Sequence, residues 1–177
     1  MPGRFSVWKS LMKKFLFMSV LHLIVFPVSE MAQAGEPPLL TVRDFASGEV
    51  FLQLPVRYGQ AFTIRYVHSV DRSPVFETFR VKKGAGLVLE ETHFRMFGAG
   101  MGHWEGHGRL VRDGEWTRIE GINRELGGFV LRIGSKGVDH TVILGKQEIN
   151  LSDMAAGRRA EVFVSEQTMP KDGLPGF

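Results

Sequence analysis

The chain has 177 residues, with 22 Lys and Arg against 19 Asp and Glu, 44% hydrophobic residues, 21 glycines and no cysteine. That length fits one domain, and the hydrophobic share excludes wholesale disorder. The missing cysteines exclude a disulfide scaffold, an iron–sulfur cluster, a thiolate zinc site, a thiol nucleophile and a lipid-anchored cysteine.

Residues 1–34 read as an export signal. Arg4, Lys9, Lys13 and Lys14 form a basic start, and Phe15–Val28 form an apolar run broken only by Ser19, His22 and Pro27. Ala32-Gln33-Ala34 supplies the small-x-small cleavage pattern, so cleavage after Ala34 and a periplasmic location are expected. The apolar run is shorter than the roughly 20 residues that span a bilayer, and no integral membrane segment is expected after cleavage. The leader holds four of the basic residues and one acid, Glu30, which leaves 18 of each sign in the rest. That balance argues against a nucleic-acid partner, which needs a net basic face.

Gly35–Pro38 is a short linker, 39–168 one β-rich domain, and 169–177, with its prolines and glycines, a flexible tail. Period-two alternation between Gly, Asp and Pro punctuation predicts ten strands. They are Leu39–Phe45, Glu49–Val56, Ala61–Ser69, Val75–Lys83, Leu87–Met96, His107–Arg112, Trp116–Gly121, Phe129–Ile133, Thr141–Leu144 and Ala160–Ser165. Asp113-Gly114 is a strong hairpin turn signal. Leu151–Ala156 reads as one helical turn capped by Ser152 or Asp153. The fold class is therefore all-β: a compact antiparallel β-sandwich or partly open barrel of about 8–10 short strands.

The segment Arg65–Phe79 carries the most chemistry. Phe62, Ile64, Tyr66 and His68 share one strand face, and Val75, Glu77, Phe79 and Val81 share another. Matching the apolar faces in a hairpin closed by Val70–Pro74 puts Ile64 opposite Val81, Tyr66 opposite Phe79 and His68 opposite Glu77. His68 and Glu77 then meet as an acid–base or recognition pair, or as a structural clasp of the hairpin. Asp71 and Arg72 fall in the turn, where Asp71 bonds its own backbone and Arg72 can face an anion. Ser69, next to His68 on an extended strand, points to the opposite face, which disfavours a base–nucleophile pair.

Phe97–Gly102 (FGAGMG) permits close backbone approach through Gly98 and Gly100, but it matches neither a dinucleotide fingerprint nor a phosphate loop. His103, Glu105 and His107 alternate in the next segment and are candidate metal ligands, with His93 and His140 as spare donors. No carboxylate pair selects itself for glycoside hydrolysis. The sequence calls for no cofactor.

The pattern Tyr66-x-His68-Ser69-Val70-x-Arg72-x-Pro74-x-x-Glu77, followed by Phe97-Gly98-Ala99-Gly100, resembles the domain-of-unknown-function family numbered eighteen-fifty. The resemblance implies a small exported bacterial protein associated with TAXI-type tripartite (TRAP) transporters, which take up organic solutes. It implies a transporter subunit, a solute-binding protein or a small organic solute as partner, and carries over no catalytic residue. His68, Ser69, Arg72, Glu77, Phe97, Gly98 and Gly100 are the expected contact residues. The alternative is a periplasmic metal-binding protein or hydrolase that uses His68/Glu77 or His103/Glu105/His107.

Overall fold

A computed structural model of the chain describes residues 36–95 and 107–166. Among these the strands are β1 (Leu39–Asp44), β2 (Val50–Pro55), β3 (Ala61–Val67), β4 (Pro74–Lys82), β5 (Gly86–Phe94), β6 (Arg109–Asp113), β7 (Trp116–Arg132), β8 (Thr141–Leu144), β9 (Gln147–Asn150) and β10 (Arg159–Ser165). One short helix, α1 (Leu151–Ala155), sits between β9 and β10. The strands form a single antiparallel sheet in the order β2-β1-β10-β7-β5-β4-β3-β8-β9, with β6 added to β7. The sheet curls into a half-barrel, so the partly open barrel, and not the sandwich, is the architecture that forms.

The alternation explains the inward face. Leu40 and Val42 of β1, Phe62 and Ile64 of β3, Phe79 and Val81 of β4, and Ala160 and Val162 of β10 are all buried in one cluster. Period two sends these side chains to the concave side, where burial of their apolar surface drives the sheet to close on itself. Phe79 stacks on Phe62 at 5.3 Å and on Phe129 at 4.9 Å, forming an aromatic column through the core. Leu151 and Ala155 of α1 close one end of the same cluster.

Three local expectations change. The segments Trp116–Gly121 and Phe129–Ile133 belong to one 17-residue strand, β7. Gly121, Asn123 and Gly127 take positive φ there, and the pairing with β5 shifts register between Leu89 and Glu91 and again near Leu87. These are bulges, which bend a strand without ending it. Gly127 also lies so close beneath Gly86 that a Cβ on Gly86 would strike its carbonyl. Second, β9 forms from the polar stretch Gln147–Asn150, paired only with β8. An edge strand with a wet face lacks the apolar alternation that would announce it. Third, the helix cap is Asn150: its side chain accepts from the Ser152 N–H at 2.8 Å. Ser152 is buried, and its hydroxyl accepts from the His140 N–H at 3.0 Å.

Candidate functional site

The site grows from the turn between β3 and β4. The inward and outward faces are as the alternation requires, but the register differs. Phe62 pairs with Phe79, Ile64 with Glu77 and Tyr66 with Val75. Each β3 residue thus meets a β4 residue four positions earlier than apolar matching suggested. His68 does not meet Glu77. The reason lies in the turn, which closes early because the His68 N–H donates to the Ser73 carbonyl at 2.8 Å.

Asp71 organises that closure. Its carboxylate accepts from the Ser73 hydroxyl at 2.5 Å and lies 2.9 Å from Nδ1 of His68. Those bonds, that from Ser73 first, hold the Asp71 carboxyl below its ordinary pKa. An ionised carboxylate only accepts, so Nδ1 of His68 carries a proton toward Asp71. The His68 side chain is 9% exposed and its Asp71 partner 10%, so the pair is fixed against the body of the protein. Arg72 occupies the tip with φ 57 and is exposed.

Glu77 sits on the concave face between Ile64 of β3 and Thr92 of β5. Burial pushes its pKa up. Burial chiefly, with the Glu77 charge second, raises the Tyr66 phenol well above its ordinary range. Glu77 is therefore a carboxylate under desolvation stress rather than the partner of a histidine.

His68 and Ser69 line one open cleft of about 520 Å³, together with Tyr66, Arg132, Ser135 and His140. They share it because β3 ends at Val67. The chain turns there, and the strict alternation that would separate their side chains stops. The opposite wall is the connection from β7 to β8. It is tied down by the Val67 N–H donating to the Val138 carbonyl at 2.7 Å and the Gly157 N–H donating to the Ile133 carbonyl at 2.8 Å. His140 is buried and stacks on Tyr66 at 5.0 Å. Its Nδ1 accepts from the Gly134 N–H at 2.9 Å, so the neutral ring carries its proton on Nε2. Burial lowers the His140 pKa and favours that neutral form. The two imidazoles thus use Nδ1 in opposite ways on one cleft: His68 donates through it to Asp71, and His140 accepts through it from Gly134.

The remaining sequence candidates divide between residues placed elsewhere and residues not described. Phe97, Gly98, Gly100, His103 and Glu105 lie outside the described residues, as do the leader and the tail beyond Glu166. His107 lines a separate small pocket with Ile122, Asn123 and Arg124. The His93 ring packs on Trp116 at 4.6 Å and near Phe76 at 5.9 Å. Among the described residues no group of three or more His, Asp and Glu side chains converges in a way that could hold a metal. Asp71 as the orienting group, and Arg132 and Ser135 as cleft residues, are additions from the structure. Only Asp71 had a legible signal, its place three residues after His68 in a turn.

A family model described as a domain of unknown function (DUF1850) matches residues 62–151, a span from β3 to the first residue of α1 that includes the His68–Asp71 turn and His140. No curated protein and no solved structure matches the chain.

Proposed function

The chain belongs to this family of unknown function, and we propose that it is an exported periplasmic accessory or binding protein, linked to a TAXI-type tripartite solute transporter. The observation that carries the binding role is the open cleft at the His68 turn. Two imidazoles, each held through its Nδ1, and two serines converge on it. Recognition of small molecules needs such a concave site, in which a few placed polar groups fix orientation. The export signal read in residues 1–34 and the family resemblance support the location and the transporter link.

The test is affinity capture of the tagged protein from envelope extracts of cells that make the transporter. Wild type is compared with His68→Ala and His140→Phe, both first shown to be folded. Recovery of transporter components by wild type, reduced by the variants, is the expected result. Recovery of neither a membrane subunit nor a solute-binding protein by folded wild type overturns the transporter link.

One observation favours a second reading. A histidine oriented through Nδ1 by a carboxylate is the base half of a hydrolytic site. Ser69 and Ser135 line the same cleft. Turnover of an activated ester that vanishes in His68→Ala would support hydrolysis. Identical background rates in both proteins would exclude it for that substrate class.

A further inference from the structure

We infer that the ligand of the cleft is a small organic carboxylate, with its anionic head held at Arg132 and its apolar body against Val67 and Val138. The inference rests on the reading of this cleft as a binding site and names the class of molecule it takes.

Charge is the first argument. Among the described residues the cleft lining contains one cation, Arg132, and two histidines, but no Asp or Glu. The acids nearby are committed elsewhere. Asp71 accepts from His68 and Ser73. Asp139 accepts from the Gly137 N–H at 3.1 Å and contacts the Asn150 amide at 3.5 Å. Asp44 and Glu49 both pair with Arg158. Among the described residues no carboxylate reaches Arg132, which is exposed at the end of β7 and stands opposite another cation, Arg159, on β10. The Arg159 guanidinium in turn lies over the Phe45 ring at 4.7 Å. An unpaired guanidinium presents a planar fork of donors, and its natural complement is a carboxylate held by two parallel hydrogen bonds.

The second argument is the rest of the wall. The His140 Nε2–H adds a neutral donor, and Ser69 and Ser135 add hydroxyls, whereas the described lining offers a cationic ligand no carboxylate. The half-buried Val67 and Val138 supply apolar surface beside these groups. A simple inorganic anion would leave that surface wet, while an organic acid covers it.

The test is a nuclear magnetic resonance titration of the purified protein with two matched pairs: benzoate against benzamide, and hexanoate against hexanamide. Each amide keeps the shape and removes the charge. The expected result is saturable shifts at Arg132, His68 and His140 with the carboxylates and little response to the amides. Arg132→Gln should weaken carboxylate binding at least tenfold, and Arg132→Lys should keep more of it. Arg132 is exposed, so neither variant threatens folding. Equal binding of acid and amide, or undiminished binding by Arg132→Gln, overturns the carboxylate assignment and leaves the cleft a binding site. If neither acid binds but hexylamine or a neutral sugar shifts the same residues, the ligand class is wrong and the binding role stands. A cleft that responds to none of these probes, in a protein that also captures no transporter component, removes both.

Discussion

Nδ1 of His68 lies 2.9 Å from Oδ1 of Asp71, across a turn in which the same carboxylate also holds the Ser73 hydroxyl. One ionised group thereby sets three things at once: the register of β3 against β4, the orientation of a buried imidazole through its Nδ1, and the wall of the cleft. Asp71→Ala removes the acceptor from His68 and from Ser73. The expected outcome is a lower unfolding midpoint and a mixture of His68 tautomers, read from imidazole ¹⁵N shifts, in place of a single Nδ1–H form. The folded Asp71 carboxyl titrates below its ordinary value of 3.8. Its contribution is therefore complete above that value and is lost as the pH falls beneath it. Wild type should lose stability there more steeply than the variant. An unchanged tautomer would show that Asp71 does not orient the ring.

His140 makes the opposite demand on pH. Its Nδ1 accepts a backbone N–H, its ring is buried, and burial places its pKa below the ordinary 6.5. The unfolded chain then binds a proton before the folded one does. Stability falls as the pH drops through 6.5 toward the folded value, and levels off below it. His140→Phe keeps a ring to stack on Tyr66 and removes the titration. Urea midpoints at pH 8, 6.5 and 5 should fall more for wild type than for the variant. Parallel curves would show that His140 carries no such linkage.

Glu77 behaves as a buried acid. Its folded pKa lies above the ordinary 4.5, so the unfolded chain ionises first as the pH rises. Stability is lost as the pH climbs from 4.5 through the folded value. Glu77→Gln keeps the shape and removes the charge, so it should raise the thermal midpoint at pH 7.5, and the gain should shrink toward pH 4. For a domain near this size each kcal/mol appears as roughly 2–4 °C. A variant less stable than wild type at pH 7.5 would mean that the Glu77 charge is compensated in the folded protein.

The alternation of Phe62, Ile64 and Tyr66 against Val75, Phe79 and Val81 made the inward face readable, because a buried face forbids a one-residue slip. It could not fix the register, since a slide by an even number of residues keeps every apolar side chain inward. What chose among the allowed registers was Asp71, a local polar contact that hydrophobic matching does not weigh. The bulged length of β7 was hidden for a similar reason: Gly121 and Gly127 punctuate a sequence whether they turn the chain or merely bend it. Arg132 and His140 are far from His68 in sequence, and only closure of the half-barrel brings them to one cleft.

Gly134 is packed closely within that wall of the cleft. A Cβ there would stand 2.5 Å from Cγ1 of Val138 and 3.1 Å from Nδ1 of His140. Both neighbours line the cleft, and His140 depends on the Gly134 N–H for its tautomer. Gly134→Ala must therefore push the β7–β8 connection outward. Overpacking of this kind costs about 1–3 kcal/mol. Ser135→Ala, next to it but exposed, should stay within about 0.5 kcal/mol of wild type. The same Ala at 134 should also weaken benzoate binding, because Val138 and the His140 Nε2–H donor move together. Chemical denaturation and the benzoate titration read the two effects separately. If Gly134→Ala lost stability but bound benzoate as wild type does, the β7–β8 wall would be scaffold only, and recognition would lie on the His68 side of the cleft.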